Sequence, residues 1–337
     1  MTDDAPGFLI VRLGALGDVM HAVPAAAALR RRYPRARIDW MVDPRYMELV
    51  RLVRGIDRVI PVDPRHGVMP LVSAFRALWK GGYDAAIDLQ GLLKSAVLAR
   101  LAVPGRVIGF PGDQLREPLA RVFYSPTAPP VLARHVIQKN LTLLRAVGVT
   151  DTTVSFPLTI PQTDAVDEVE ARHGAARYVL LNPGAAWPNK RWPPARFGAL
   201  AAAIRSRLGL APLVLWAPDE HGLASEVVTA SAGAAELCPR TAVTDLFGVA
   251  RSAALMVSGD TGPLHIATAV GTPVVALFGP TDPLRNGPWS PFDAVVSRFE
   301  ACECHYQRRC RRPQPCLDDI TVDDVLAAVE QRLGRRA

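Results

Sequence analysis

The octet Ser258-Gly-Asp-Thr-Gly-Pro-Leu-His265 holds residues whose types and spacing promise chemistry. It follows an apolar run, Ala253–Val257, that reads as a short buried strand, and precedes Ile266–Val270, which has helical character. Gly271-Thr-Pro and a second apolar run, Val274–Phe278, come next. Asp260 and Thr261 therefore fall at a strand-to-helix turn. In an open α/β sheet such turns lie outside the carboxyl ends of the strands, where ligands bind. A helix entering at Gly262 turns unbonded N–H groups and a positive dipole end toward that space. An anion such as a diphosphate is the natural occupant. The plainer reading of the same residues, an Asp or Thr N-cap, stays open.

A second group is Cys302-Glu-Cys304, Cys310 and Cys316, four thiols within 15 residues. Four soft ligands can hold zinc or iron tetrahedrally, in a structural rather than a reactive role. The Cys-x-Cys start is shorter than zinc-finger spacing, so reduced thiols or a redox-sensitive pair are the alternatives. The fifth cysteine, Cys238, reads as an isolated buried thiol. No Asp-x-Asp sits in a suitable loop, so a metal-chelated diphosphate is not indicated and no cofactor is expected to take part in the chemistry.

The elements that must position these residues come from a chain of 337 residues, 49% hydrophobic and 21% charged, enough for two domains with substantial cores. No apolar run approaches the ~20 residues of a membrane span, and the acidic start Met1-Thr-Asp-Asp lacks the regions of a signal peptide. A cytoplasmic protein is expected. The net charge of +7 is carried mainly by dispersed arginine, with lysine only at Lys80, Lys94, Lys139 and Lys190. That suits an anionic substrate or membrane surface. It is not a concentrated nucleic-acid stripe, and no nucleic-acid motif is present.

Along the chain, apolar runs alternate with helical stretches. Phe8–Arg12 reads as a first strand, followed by the turn Leu13-Gly-Ala-Leu-Gly-Asp18 and an Ala-rich helix over Val19–Tyr33. The turn is not the Gly-x-Gly-x-x-Gly dinucleotide fingerprint. Strands are predicted at Arg37–Val42, Arg58–Val62, Tyr83–Asp88 and Arg106–Phe110. Helices are predicted at Pro44–Val53, Met69–Lys80, Leu92–Leu101 and Leu132–Val147. Residues 148–176 break the rhythm, and the interdomain connection is placed there. A second series follows, with strands at Tyr178–Leu181 and Leu213–Trp216 and helices at Pro194–Leu208 and Glu220–Ala230. Another helix opens at Thr244 as N-cap, and an amphipathic one ends the chain at Val322–Leu333. Such alternation implies parallel βαβ units. It predicts an α/β protein of two Rossmann-like, doubly wound parallel-sheet domains, 1–160 and 161–337, facing across a ligand cleft. The C-terminal helix is a candidate to pack back on the first domain.

At this point the residues resemble a family. Phe8–Tyr33, Tyr83-Asp-Ala-Ala-Ile-Asp-Leu-Gln-Gly-Leu-Leu-Lys-Ser95, Arg116-Glu-Pro-Leu119, Asn182-Pro-Gly-Ala-Ala-Trp-Pro-Asn-Lys-Arg-Trp192, Asp260-Thr-Gly-Pro-Leu-His265 and Phe278-Gly-Pro-Thr-Asp-Pro283 are similar, in order, to the ADP-heptose:lipopolysaccharide heptosyltransferases, glycosyltransferase family 9. The resemblance covers the chain from Phe8 onward. It implies the GT-B architecture, with the acceptor on the first domain and the nucleotide sugar on the second. It implies inverting transfer of heptose from ADP-heptose to the Kdo–lipid A inner core, at the inner face of the cytoplasmic membrane. The segments around Gln90–Ser95 and Arg116–Pro118 look most like heptosyltransferase I, whereas the cysteine-bearing stretch 302–316 looks more like heptosyltransferase II and related branches.

The resemblance also assigns roles. Asp18 matches the family's catalytic acidic residue, where a carboxylate takes the acceptor's proton as a base; its other reading is a helix cap. Lys190 matches a lysine set against the donor diphosphate, where it stabilises departing ADP; its other reading is a solvated loop lysine. Asp260 orients the donor or fixes its own loop, Thr261 and Gly262 offer backbone contacts to phosphate, and His265 is structural or touches phosphate. Glu220 matches a contact to the donor ribose, or is a first-turn helix carboxylate. Lys94, Arg116 and His135 fall on the acceptor side, where the anionic Kdo and lipid A phosphates call for cations. Ala185 and Ala186 stand where some relatives carry threonines. Competing functions are another ADP-sugar transferase of the same fold, a nucleotide-sugar epimerase, and a non-catalytic sugar-nucleotide or lipopolysaccharide binder.

Overall fold

Parallel strands buried on both faces must be apolar along their whole length, and that is what sets the frame here. The computed structural model describes residues 5–63, 78, 81–125 and 132–334. It divides into two compact units, Met1–Thr159 and Ile160–Ala337.

In the first unit the strands are β1 (Gly7–Val11), β2 (Arg37–Val42), β3 (Arg58–Pro61), β4 (Ala85–Asp88) and β5 (Arg106–Ile108). They pair in parallel in the order β3-β2-β1-β4-β5. The direction of winding reverses between β1 and β4. Helix α1 (Leu16–Arg32) follows β1, α2 (Met47–Arg51) follows β2, and α3 (Leu93–Leu101) follows β4. The helix expected over 132–147 is shorter, α4 (Val136–Leu143), and continues as a 3-10 turn, Leu144–Val147. The helix expected over 69–80 lies outside the described residues apart from Leu78.

The second unit opens with a helix that the sequence reading missed, α5 (Asp164–His173). Six of its ten residues, Asp164, Asp167, Glu168, Glu170, Arg172 and His173, are charged or titratable. Only Val166 and Val169 are buried, so its apolar periodicity is too thin to register. Six strands follow: β6 (Tyr178–Asn182), β7 (Ala211–Val214), β8 (Glu236–Leu237), β9 (Leu255–Gly259), β10 (Val274–Phe278) and β11 (Ala294–Ser297). Their order is β11-β10-β9-β6-β7-β8, reversing between β6 and β9.

Helix α6 (Pro194–Leu208) shows why these segments fold as they do. Proline opens it at a position where the missing N–H is not needed. Phe197, Leu200, Ala201 and Ile204 form one buried stripe. Gly209 ends it at φ 64°, in the left-handed region that glycine enters without strain. Trp192, fully buried just before the helix, meets Phe197 edge-on at 4.9 Å and donates from its indole to the carbonyl of Ile320. The remaining helices are α7 (His221–Ala230), α8 (Asp245–Arg251), α9 (Gly262–Ala269), α10 (Pro283–Asn286) and α11 (Val322–Gly334). Thr244 precedes α8 but makes no side-chain cap; Asp245 instead accepts from the N–H of Ala242. The C-terminal helix α11 buries Val325, Leu326 and Val329 in the core of the second unit. Among the described residues no helix is long and apolar enough to cross a membrane.

Candidate functional site

Both reversal points carry the residues singled out by sequence, each at the carboxyl ends of its own sheet, where an open α/β sheet forms its crevice.

In the second unit the crevice lies between the ends of β6 and β9. Strand β9 runs two residues further than the apolar run suggested, through Gly259, so Asp260 leaves the strand directly into the turn. Asp260 is 7% exposed, and both its oxygens are held. Oδ2 lies 2.6 Å from Lys190 Nζ and accepts from the Thr281 hydroxyl at 2.7 Å. Oδ1 lies 3.3 Å from His265 Nε2. Burial by itself pushes this carboxyl up, but the hydrogen bond with His265 and the nearby Lys190 charge outweigh it and hold the group well below the usual carboxylate range. His265 is buried on α9 and serves Asp260.

Thr261 stands at the N-cap position of α9, yet its side chain makes no capping bond. Its hydroxyl instead accepts from the Asn182 amide at 2.9 Å, and the same amide donates to Ser258 at 2.9 Å. The end of β6 is thereby tied to the turn after β9. The plainer N-cap reading of the octet is not what its side chains do: neither Asp260 nor Thr261 caps the helix, and the first N–H groups of α9, at partly exposed Gly262, keep the anion-binding character of a helix start.

Lys190 ends a 3-10 turn, Pro188–Lys190, at the edge of this crevice. It is no loose surface lysine: its side chain is 15% exposed and also lies over the Trp187 ring, 4.7 Å from the centroid. A side chain at Gly259 would put its Cβ 2.7 Å from the Lys190 carbonyl oxygen, so the strand end and the lysine turn touch through backbone. Glu220 closes another wall. It is half-buried, and burial followed by the charge of Asp219 pushes its carboxyl up. It packs over Gly184, where a Cβ would fall 2.1 Å from a carboxylate oxygen. Ala185 is buried and Ala186 exposed in the same loop. Lys190, Glu220, Asp260, Thr261, Gly262 and His265 thus gather at one sheet end. Asn182, Trp187 and Thr281 join them. All three lay in quoted sequence segments, but nothing in their spacing announced a role.

In the first unit Asp18 follows β1 beside the other reversal point. Helix α1 starts at Leu16, earlier than predicted, so Asp18 is its third residue and not a residue before it. Its Oδ2 accepts from the N–H of Ala15 at 3.3 Å, and its Oδ1 lies 2.7 Å from Arg12. His135 is the N-cap of α4 and accepts from the N–H of Ile137. Its ring meets His21 of α1 edge-on, with centroids 6.0 Å apart. Lys94 and Arg116 are both exposed. The neighbours Leu93 and Glu117 hydrogen-bond at 2.7 Å, which sets both cations near the start of α3.

The thiols of Cys302, Cys304, Cys310 and Cys316 cluster, three of them buried. Cys304 and Cys310 lie 3.5 Å apart, sulfur to sulfur, and the N–H of Cys304 donates to Cys302 Sγ at 3.4 Å. The N–H of Arg311 donates to Cys304 Sγ at 2.9 Å, which lowers the pKa of that thiol, while burial pushes Cys316 up to about 12. Among the described residues no three Cys, His, Asp or Glu side chains converge as an ion site. Cys238 is buried, and burial raises its pKa to about 12.

Comparison with known proteins puts these crevices in context. The model of glycosyltransferase family 9 (heptosyltransferase) matches residues 71–315. The chain belongs to glycosyltransferase family 9. Within that family it is similar to lipopolysaccharide heptosyltransferase 1 of Pseudomonas aeruginosa, 32% identical over 332 residues, covering 94% of this chain and 90% of that one. Among solved structures it is similar in fold to a family 9 glycosyltransferase from Veillonella parvula, with a TM-score of 0.81 and 24% identity over 99% of this chain and 98% of the other. It is also similar to the Escherichia coli heptosyltransferase WaaC with ADP-2-deoxy-2-fluoro heptose, with a TM-score of 0.73 and 25% identity over 96% and 99%. The fold class is GT-B, as the alternation of strands and helices and the resemblance anticipated.

Proposed function

We propose that this chain is an inverting heptosyltransferase that moves heptose from ADP-heptose to the Kdo region of the lipopolysaccharide inner core. The observation that carries the reading is the Lys190–Asp260 pair beside the start of α9, at the reversal point of the second sheet. A lysine held there by a buried carboxylate, next to helix N–H groups, is suited to the diphosphate of a nucleotide sugar. It supplies charge where the leaving group becomes more negative. Donor contacts are assigned to Lys190, Glu220, Asp260, Thr261, Gly262 and His265, the last through Asp260.

Asp18 is the base in this reading. The acceptor hydroxyl gives its proton to the carboxylate as its oxygen attacks the anomeric carbon, and ADP departs from the opposite face. One in-line displacement inverts the anomeric centre. Lys94, Arg116 and His135 bind the anionic acceptor. The similarity to a protein named heptosyltransferase 1 supports addition of the first heptose. The net charge of +7 supports a peripheral position at the anionic inner membrane surface, from the cytoplasmic side.

Lys190 and the helix start take the place of a metal at the diphosphate. The cysteines have a structural role outside the reaction centre: a soft ion, zinc or iron, would draw the four clustered thiols into one four-sulfur set.

Mass spectrometry of reactions with ADP-heptose and Kdo–lipid A, with and without a first heptose attached, tests the assignment. One heptose should be added to the unheptosylated acceptor. Addition only to the heptosylated acceptor would move the chain to a later step, and no transfer to either would reject the reading.

A further inference from the structure

Arg12 is a charged residue in a place that disfavours charge. It follows the last residue of β1 and is 8% exposed. Its backbone is fixed on the β2 side, where its N–H donates to the Met41 carbonyl at 3.1 Å and its carbonyl accepts from the indole of fully buried Trp40 at 3.2 Å. Its guanidinium reaches the other way across the reversal point. Nη1 donates to the Leu89 carbonyl, just past β4, at 2.5 Å, and Nη2 lies 2.7 Å from Asp18 Oδ1. The next N–H, of Leu13, donates to the Gln90 side chain at 2.8 Å. The whole turn from Arg12 to Asp18 is therefore braced from the Leu89–Gln90 loop.

Helix capping does not account for this arrangement. A carboxylate at the third helical position reaches the preceding N–H unaided, and Oδ2 of Asp18 does so with Ala15 at 3.3 Å. The second oxygen needs no partner for that purpose, and a buried guanidinium costs free energy unless it is paired. Asp18 is 43% exposed at its side chain, so without Arg12 its carboxylate would be held only by the 3.3 Å bond from the Ala15 N–H.

We propose that Arg12 is a positioning residue for the transfer step: it engages Oδ1 of Asp18 and fixes the carboxylate so that Oδ2 is the oxygen that receives the acceptor's proton. The inference rests on the reading of Asp18 as the base. In the step itself the acceptor O–H bond breaks toward Oδ2, and the acceptor oxygen bonds to the anomeric carbon. The bond from that carbon to the ADP oxygen breaks with its electron pair going to ADP. Arg12 keeps all its protons throughout. An arginine suits the place because two nitrogens of one planar group serve two acceptors at once, which a lysine ammonium does with less directional control.

The test uses the full chain, ADP-heptose and Kdo–lipid A, with four variants: Arg12→Met, Arg12→Lys, Asp18→Asn and the double variant Arg12→Met with Asp18→Asn. Misplacing a reacting group by about 1 Å costs roughly 10²-fold in rate, so Arg12→Met should lower kcat by about that factor. KM for ADP-heptose and the affinity for ADP should hold, and Arg12→Lys should recover part of the loss. In the Asp18→Asn background the Met substitution should cost less than about 3-fold, because two residues acting through one contact are not additive. An equal cost in both backgrounds would assign Arg12 to the fold alone and overturn the proposal, as would an unchanged kcat. Near-normal turnover by Asp18→Asn alone would instead remove the base assignment, and this inference with it. If the Met variant does not fold, Arg12→Lys decides: reduced kcat at constant KM supports the role, and unchanged kcat overturns it.

Discussion

Lys190 Nζ and Asp260 Oδ2 lie 2.6 Å apart, joining a 3-10 turn to the end of β9 across 70 residues of chain. The pair holds the lysine at the sheet end instead of in solvent. It also keeps a buried carboxylate ionised, since Asp260 is held well below the usual carboxylate range despite its burial.

Lys190→Ala should therefore have two separable effects. Removing the cation weakens ADP binding and slows transfer, and it leaves Asp260 with one positive neighbour fewer. Thermal shift of the parent protein should rise with ADP and not with UDP or NAD, because only a ligand bound by the folded state stabilises it. The variant should lose most of the ADP response. A response to UDP or NAD without one to ADP would contradict the donor assignment.

The Asp260 carboxyl also predicts a dependence on acid. Its folded pKa is below that of the unfolded chain, about 3.9 for an aspartate. Its contribution to stability is thus fully present above that pH and is lost as pH falls through the lower, folded value. Denaturant unfolding of the parent and of Asp260→Asn at neutral pH and in steps below pH 4 should show a stability difference that shrinks with acid. A difference that stays constant would mean that the charge of Asp260 does not matter to the fold.

Asp18→Asn retains shape and can still accept from the Ala15 N–H, but it takes up no proton. Turnover should fall by roughly 10²–10⁴-fold, the range of a positioned acid–base group, with ADP affinity little changed. Product from the parent enzyme, examined by NMR, should have the inverted anomeric configuration; retention would exclude a single displacement.

Two glycines offer a contrast between rigid and yielding neighbours. A Cβ at Gly259 meets the Lys190 backbone oxygen at 2.7 Å, while one at Gly184 meets the Glu220 carboxylate at 2.1 Å. Backbone cannot step aside as a side chain can. Gly259→Ala should destabilise the protein by about 1–3 kcal/mol, as overpacking does, and displace Lys190. Gly184→Ala should leave the melting temperature nearer the parent's and change donor affinity through Glu220. Melting curves with ADP titrations check both.

If the four cysteines hold a soft ion, elemental analysis of protein as purified should find about one zinc or iron per chain. Replacing any one of the four with serine should release it and destabilise residues 298–320, since metal binding and local folding are coupled. Metal-free protein with full activity would leave the thiols without a ligand role.

Much of this was legible in the sequence because its physical signal is local. Val274–Phe278 is a buried parallel strand, and nothing but an unbroken apolar run satisfies that environment. Pro194–Leu208 carries its own start, stripe and stop, and was read to the residue. The octet 258–265 declared a strand-to-helix turn. Where local signal was thin, reading failed: α5 buries two valines among charges, and the extra strand residues Ser258 and Gly259 are not apolar enough to extend a run.

The sequence by itself determined the alternation of strands and helices, and with it two doubly wound sheets whose carboxyl ends bear Asp18 and Asp260. Only the tertiary structure decided what those carboxylates are bonded to. The partner Lys190, and the tie between Asn182 and Thr261, come from sheet order, whereas Arg12 reaches Asp18 within one strand-to-helix turn. Strands β6 and β9 lie side by side at the reversal point although 72 residues, 183–254, separate them in the chain. Periodicity reports which face of a segment is buried, because burial repeats with the helix or strand period. It carries no information about which distant segment supplies the neighbour, and a hydrogen bond or ion pair depends on that neighbour alone.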